Sequence, residues 1–126
     1  IVEFGYNRAC YIPGEDKIQL PEKTDFNSND EFYSTYFHEL VHSTKHESRL
    51  NRNHKTTSNS GSIEYSIEEL VAEIGNSFLC SESGIEKTFK NSVAYIQNWL
   101  KVLKNDSKMV LSAASKADKA VKYILS

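Results

Sequence analysis

The stretch Phe32-Tyr33-Ser34-Thr35-Tyr36-Phe37-His38-Glu39-Leu40-Val41-His42-Ser43 decides how this chain is read. Its centre is an HExxH pattern, and the residues around it have helical spacing. On an α-helix, positions i and i+4 lie one turn apart on one face. His38 and His42 can therefore each bring a ring nitrogen to about 2.0–2.1 Å from one zinc ion. Glu39 falls about 100° round the helix from His38 and about 60° from His42. It borders the metal face, within reach of a water there rather than of the metal itself. Tyr33, Tyr36, Phe37, Leu40 and Val41 project to the other side, toward a core. Three fixed residues recur on helices by chance, but an apolar face with both histidines off it is the setting a metal site needs.

Working outward, the chain has 126 residues, enough for one domain with its own core and no disulfides. We take residues 1–126 as that domain. Because the sequence starts with Ile and opens in mid-strand, it is expected to be the C-terminal part of a larger protein. The net charge of −2 and pI of about 6.1 supply no basic field for nucleic acid or an anionic membrane. Cys10 and Cys80 read as reduced thiols of a cytoplasmic protein. Nothing resembles a signal peptide, and no apolar run approaches the roughly 18 residues of a membrane span. Oligomeric state is left open.

Residues 1–20 are strand-like. Ile1-Val2-Glu3-Phe4 is short and apolar. Ala9-Cys10-Tyr11-Ile12, the turn Pro13-Gly14-Glu15-Asp16 and Lys17-Ile18-Gln19-Leu20 suggest a hairpin ending at Pro21. The edge of such a sheet can hold an extended peptide by backbone pairing. Ser28 and Glu31 have capping-box spacing before a helix expected over about 30–45. The Ser-, Thr- and Asn-rich segment 55–62 is either a flap over a cleft or a passive loop. Further helices are expected over about 67–81, 88–104 and 107–125. The first would bury Ile67, Leu70, Val71, Ile74, Phe78 and Leu79, with Gly84 as its stop.

A catalytic zinc usually takes three protein ligands and leaves one position open. His46 could supply the third only if the helix broke after His42, because on a continuing helix it lies about 12 Å along the axis from His38. The run Glu68-Glu69-Leu70-Val71-Ala72-Glu73 is the better source. A carboxylate inside a neighbouring antiparallel helix completes a His₂Glu set, and Glu69 is our choice of ligand. Glu73 is then left to accept the other N–H of a histidine, or to be the ligand in its place. Ser66 and Glu69 also fit a capping box, which would give Glu69 a purely local role. In this scheme Glu39 takes the proton of the attacking water and delivers it to the leaving amine. An oxyanion donor could come from Tyr65, His54, Arg49 or Arg52.

These residues also carry a resemblance. Tyr11, Asp16-Lys17-Ile18-Gln19-Leu20-Pro21, Phe26, Tyr33, His38-Glu39-Leu40-Val41-His42-Ser43-Thr44, Arg49-Leu50, Tyr65 and Glu68-Glu69-Leu70-Val71-Ala72-Glu73-Ile74 resemble the zincin-like metallopeptidase domain of ArdC-type antirestriction proteins. Tyr95-Ile96-Gln97-Asn98-Trp99-Leu100 and Ala113-Ala114-Ser115-Lys116-Ala117 extend the likeness over nearly the whole chain. It implies an α+β zincin-like fold, a small sheet packed on about four helices with the metal between two of them. It also implies a place in the proteins of plasmids, phages and other mobile elements. In that family a separate N-terminal domain binds single-stranded DNA, so this chain alone is expected to bind a protein or peptide and not nucleic acid. The rival expectation is a non-catalytic, metal-stabilised module that binds a host protein to block restriction.

Overall fold

The computed structural model describes residues 1–52, 63–85, 89–103 and 106–126. Among these the chain runs β1 (Val2–Phe4), β2 (Cys10–Ile12) and β3 (Lys17–Leu20), then a 3-10 turn at Lys23–Asp25. Four helices follow: α1 (Asn29–Ser43), α2 (Ile63–Glu82), α3 (Phe89–Val102) and α4 (Ser107–Leu125). This is the expected α+β arrangement. The segment expected as a flap, 55–62, and His54 lie outside the described residues.

The sheet has strand order β1-β3-β2, with β3 central. β2 and β3 form the expected antiparallel hairpin, pairing Cys10 with Gln19 and Ile12 with Lys17. β1 runs parallel to β3 on its other edge, Val2 opposite Ile18 and Phe4 opposite Leu20. Alternation along β3 sends Ile18 and Leu20 to one face, where both are buried against Phe32 of α1.

α1 starts where Ser28 Oγ accepts the backbone N–H of Glu31 at 3.2 Å. It ends at Ser43, two residues earlier than expected. Its apolar residues do not share one face. Phe32, Tyr36 and Leu40, spaced by four, pack on the sheet, whereas Phe37 and Val41 pack on the helical core with α2 and α4. His38 and His42 form a third row. Successive positions step about 100°, so three rows of i, i+4 pairs point in three directions. α1 is thus held from two sides, and the side that carries His38 is left to face a cleft.

α2 begins at Ile63, four residues before the expected start, so Ser66 is a buried interior residue and not a cap. Phe78, expected in the core, is 44% exposed; Ala72 and Cys80 are buried instead. Gly84, at φ +76°, closes the helix. Its own N–H reaches the Ser81 carbonyl and that of Ile85 reaches the Cys80 carbonyl, a Schellman ending. Cys80 Sγ lies 3.3 Å from Asn76 Oδ1, and no disulfide joins it to Cys10. α4 is capped by Asp106 and lays Ala113, Ala117, Ala120 and Val121 against α2. No helix among the described residues is long and apolar enough to cross a membrane.

Close approach of α1 and α2 depends on Gly75. A Cβ there would stand 2.8 Å from Val41 Cγ2 and 3.0 Å from Cγ1, and Val41 is fully buried. Gly75→Ala gains up to about 1 kcal/mol of helix propensity. Overpacking a stiff β-branched neighbour costs about 1–3 kcal/mol. The expected outcome is a net loss of about 1 kcal/mol in urea unfolding. A gain in stability would mean that the helices do not meet at this point.

Candidate metal centre

The cleft lies between α1, α2 and α3 and has a volume of about 490 Å³. His38, Glu39, Ser34 and Thr35 of α1 line it, with Glu69, Glu73 and Asn76 of α2 and Tyr95, Asn98 and Trp99 of α3. Phe26, Glu31 and Ser92 complete the wall. No strand residue contributes, so the sheet edge considered as a peptide cradle is not part of this cleft. A smaller cavity beside the sheet, lined by Tyr11, Asp16, Leu40 and Arg49, is separate.

At the floor, the two Nε2 atoms of His38 and His42 stand 3.1 Å apart. Glu69 faces both, with Oε2 3.4 Å from His38 Nε2 and Oε1 3.2 Å from His42 Nε2. Four ligands at about 2.0–2.1 Å round a tetrahedral ion are separated by edges of about 3.3–3.4 Å. The separation of the two Nε2 atoms is close to one such edge, and each Glu69 oxygen lies about one edge from one of the histidines; with one ligand atom from each residue, all lie within 4.8 Å of one another, so these residues fit a small divalent cation. Among the described residues they are the group of three or more His, Cys, Asp or Glu that could hold one.

Each imidazole is gripped from behind. His38 Nδ1 lies 2.5 Å from Glu73 Oε1, and His42 Nδ1 lies 2.8 Å from Glu68 Oε2. Carboxylates at Nδ1 favour the tautomer whose Nε2 lone pair points at the shared position. Sequence reasoning foresaw this task for Glu73 and missed Glu68. The signal was present: Glu68 shares the helical phase of Val71, Ala72 and Gly75, all buried. An acid in that phase demands a buried donor.

The electrostatics ask for positive charge. Burial pulls the His38 imidazole down, but its hydrogen bonds to Glu69 and Glu73 prevail and raise it to about 10. His42 is likewise raised, burial being outweighed by Glu68 and Glu69. Burial pushes Glu69 up, yet the two histidines hold it well below the usual carboxylate range. Protons or a metal ion can satisfy such a cluster, and the two compete.

Glu39 is 8% exposed, lines the cleft beside His38 and Glu73, and has no hydrogen-bond or ion-pair partner among the described residues. Of the three oxyanion donors considered that fall among the described residues, Tyr65 is at the site. Its ring meets Trp99 edge-on at 5.9 Å, and burial together with a hydrogen bond to Glu69 keeps its phenol protonated above the ordinary range. Arg49 points to the other side of α1, bonding the Ser43 carbonyl at 2.8 Å and pairing with Asp16. Arg52 is buried behind His42. His46 sits beyond the helix end and pairs with Ser48 at 2.8 Å, outside the cluster.

A family model described as zincin-like metallopeptidase matches residues 1–116. Two DNA primase TraC proteins of Escherichia coli are 40% identical over 120 and 119 residues. The match takes in 95% and 94% of this chain but 11% and 8% of theirs. The uncharacterized protein y4eC of Sinorhizobium fredii is 28% identical over 124 residues, 98% of this chain and 40% of its own length. The crystal structure of the antirestriction ArdC protein from plasmid R388 superposes with a TM-score of 0.81 in its Mn(II)-bound form and 0.78 in its metal-free form. Both are 38% identical, covering 98% of this chain and 46% or 44% of that one. The chain therefore spans less than half of each of these relatives.

Proposed function

The chain belongs to the zincin-like metallopeptidase family, and from that membership we propose that it is a zinc-dependent peptide-bond hydrolase of antirestriction type. Its substrate is a protein or peptide met when mobile DNA enters a host. His38, His42 and Glu69 hold the metal, and Glu39 is the catalytic base. The observation that carries this reading is the convergence of two Nε2 atoms and one carboxylate within reach of a single ion, with a buried glutamate beside them that has no hydrogen-bond or ion-pair partner among the described residues.

When bound, zinc supplies Lewis acidity and brings the pKa of water to about 7. The rest is the work of side chains. Glu39 accepts the proton of a water attacking the scissile carbonyl, then passes it to the departing amine as the C–N bond breaks. Tyr65, kept protonated, donates to the oxygen on which charge develops. Glu73 and Glu68 hold the two imidazoles in the metal-binding tautomer. Ser34, Thr35, Asn98 and the exposed Tyr95 offer side-chain contacts to a bound segment, in place of a strand edge. Manganese, the ion bound in one of the R388 ArdC structures, is a second ion the same N/O set could accept.

Incubating the zinc-loaded chain with an unbiased peptide library should give cleavage that a chelator stops and added zinc restores. Cleavage indifferent to chelator, or none from a chain shown to carry its metal, would favour the non-catalytic binding module.

A further inference from the structure

Arg52 is buried behind the cluster and is not among the residues that line the cleft. It closes a fork on Glu68, Nε to Oε1 at 3.0 Å and Nη2 to Oε2 at 3.1 Å. The same Oε2 lies 2.8 Å from His42 Nδ1. Beyond the ring, His42 Nε2 faces Glu69 and His38. A continuous line of contacts thus runs from guanidinium to carboxylate to imidazole to the metal position.

The guanidinium is itself held. Nη1 donates to Thr44 Oγ1 at 2.7 Å and Nη2 to the Val41 carbonyl at 3.0 Å. The chain between is folded back to deliver it. The N–H groups of Leu50, Asn51 and Arg52 bond the carbonyls of Thr44, His46 and Lys45, and Asn51 takes a left-handed φ of 51°. Arg52 consequently enters beneath the last turn of α1 with its plane set by that helix. His38 differs: its carboxylate, Glu73, lines the cleft and has no lysine or arginine partner among the described residues.

We infer that Arg52 is a positioning residue for the metal site, locking the Glu68 carboxylate in the plane that aims His42 Nε2 at the ion. A guanidinium suits this because its rigid fork fixes both carboxylate oxygens, which a lysine ammonium cannot do. The inference rests on the metal-site reading above and adds a dependence that His38, His42 and Glu69 alone do not require.

The test uses Co²⁺ as probe, read by affinity and by its visible absorption bands, with the whole chain. Arg52→Lys keeps a buried positive charge but loses the fork. It should bind Co²⁺ about 10–100-fold more weakly with shifted bands. In a Glu68→Gln background the same change should have little further effect, because the link is already cut. Should Arg52→Lys fail to fold, the pair Arg52→Gln/Glu68→Gln leaves no lone buried charge, and it should bind Co²⁺ as well as Glu68→Gln alone. Wild-type affinity and spectrum in Arg52→Lys would overturn the inference. So would a full-sized loss that persists without Glu68, since Arg52 would then act only on the end of α1. If the wild-type chain itself binds no Co²⁺, the metal-site reading fails first, and separately.

Discussion

Glu39→Gln should abolish hydrolysis while leaving metal content and fold unchanged. Gln keeps the size of the side chain but cannot take a proton, and proton transfer by a placed base contributes about 10²–10⁴-fold. Glu39 is not among the three side chains that converge on the metal position, so affinity for the ion should hold. It lines the cleft with no hydrogen-bond or ion-pair partner among the described residues, as a group kept for a substrate or water would. The measurement pairs a cleavage rate with elemental analysis and circular dichroism on one preparation. A variant that retains full biological effect in the full-length protein would make the base dispensable, and the host-binding module would then be the better account.

Ligand removal should have the next largest effect. His38→Ala/His42→Ala should lose its metal outright, and Glu69→Gln should lose most of it, since each deletes a direct bond. Glu73→Gln should weaken binding only about 10–100-fold, because Glu73 orients His38 and does not itself converge on the ion. Loading should strengthen as pH rises: His38, raised to about 10 by Glu69 and Glu73 against the pull of burial, must release a proton to solvent before its nitrogen can bind the ion. If Glu73→Gln empties the site and Glu69→Gln does not, the two glutamates exchange roles. Equal metal content in the double histidine variant and wild type would remove the site altogether.

The sequence determined by itself that one helix would carry two histidines on a face free of large apolar groups, because a period of 3.6 leaves i and i+4 no other arrangement. It determined the hairpin, through a turn that Pro13 and Gly14 announce, and the alanine stripe of α4. It also narrowed the third partner to a glutamate on the next long helix. What it did not contain was the direction from which each neighbour approaches. That Tyr36 and Leu40 meet the sheet while Phe37 and Val41 meet α2 is decided by which surfaces flank α1, and one apolar face served the local pattern equally well. The choice of Tyr65 over Arg49 as the donor near Glu69 is of the same kind. So is the burial of Glu68 and Arg52 together, 16 residues apart in the chain. A charged pair reads as surface until the fold removes its water, and only then does each charge need the other.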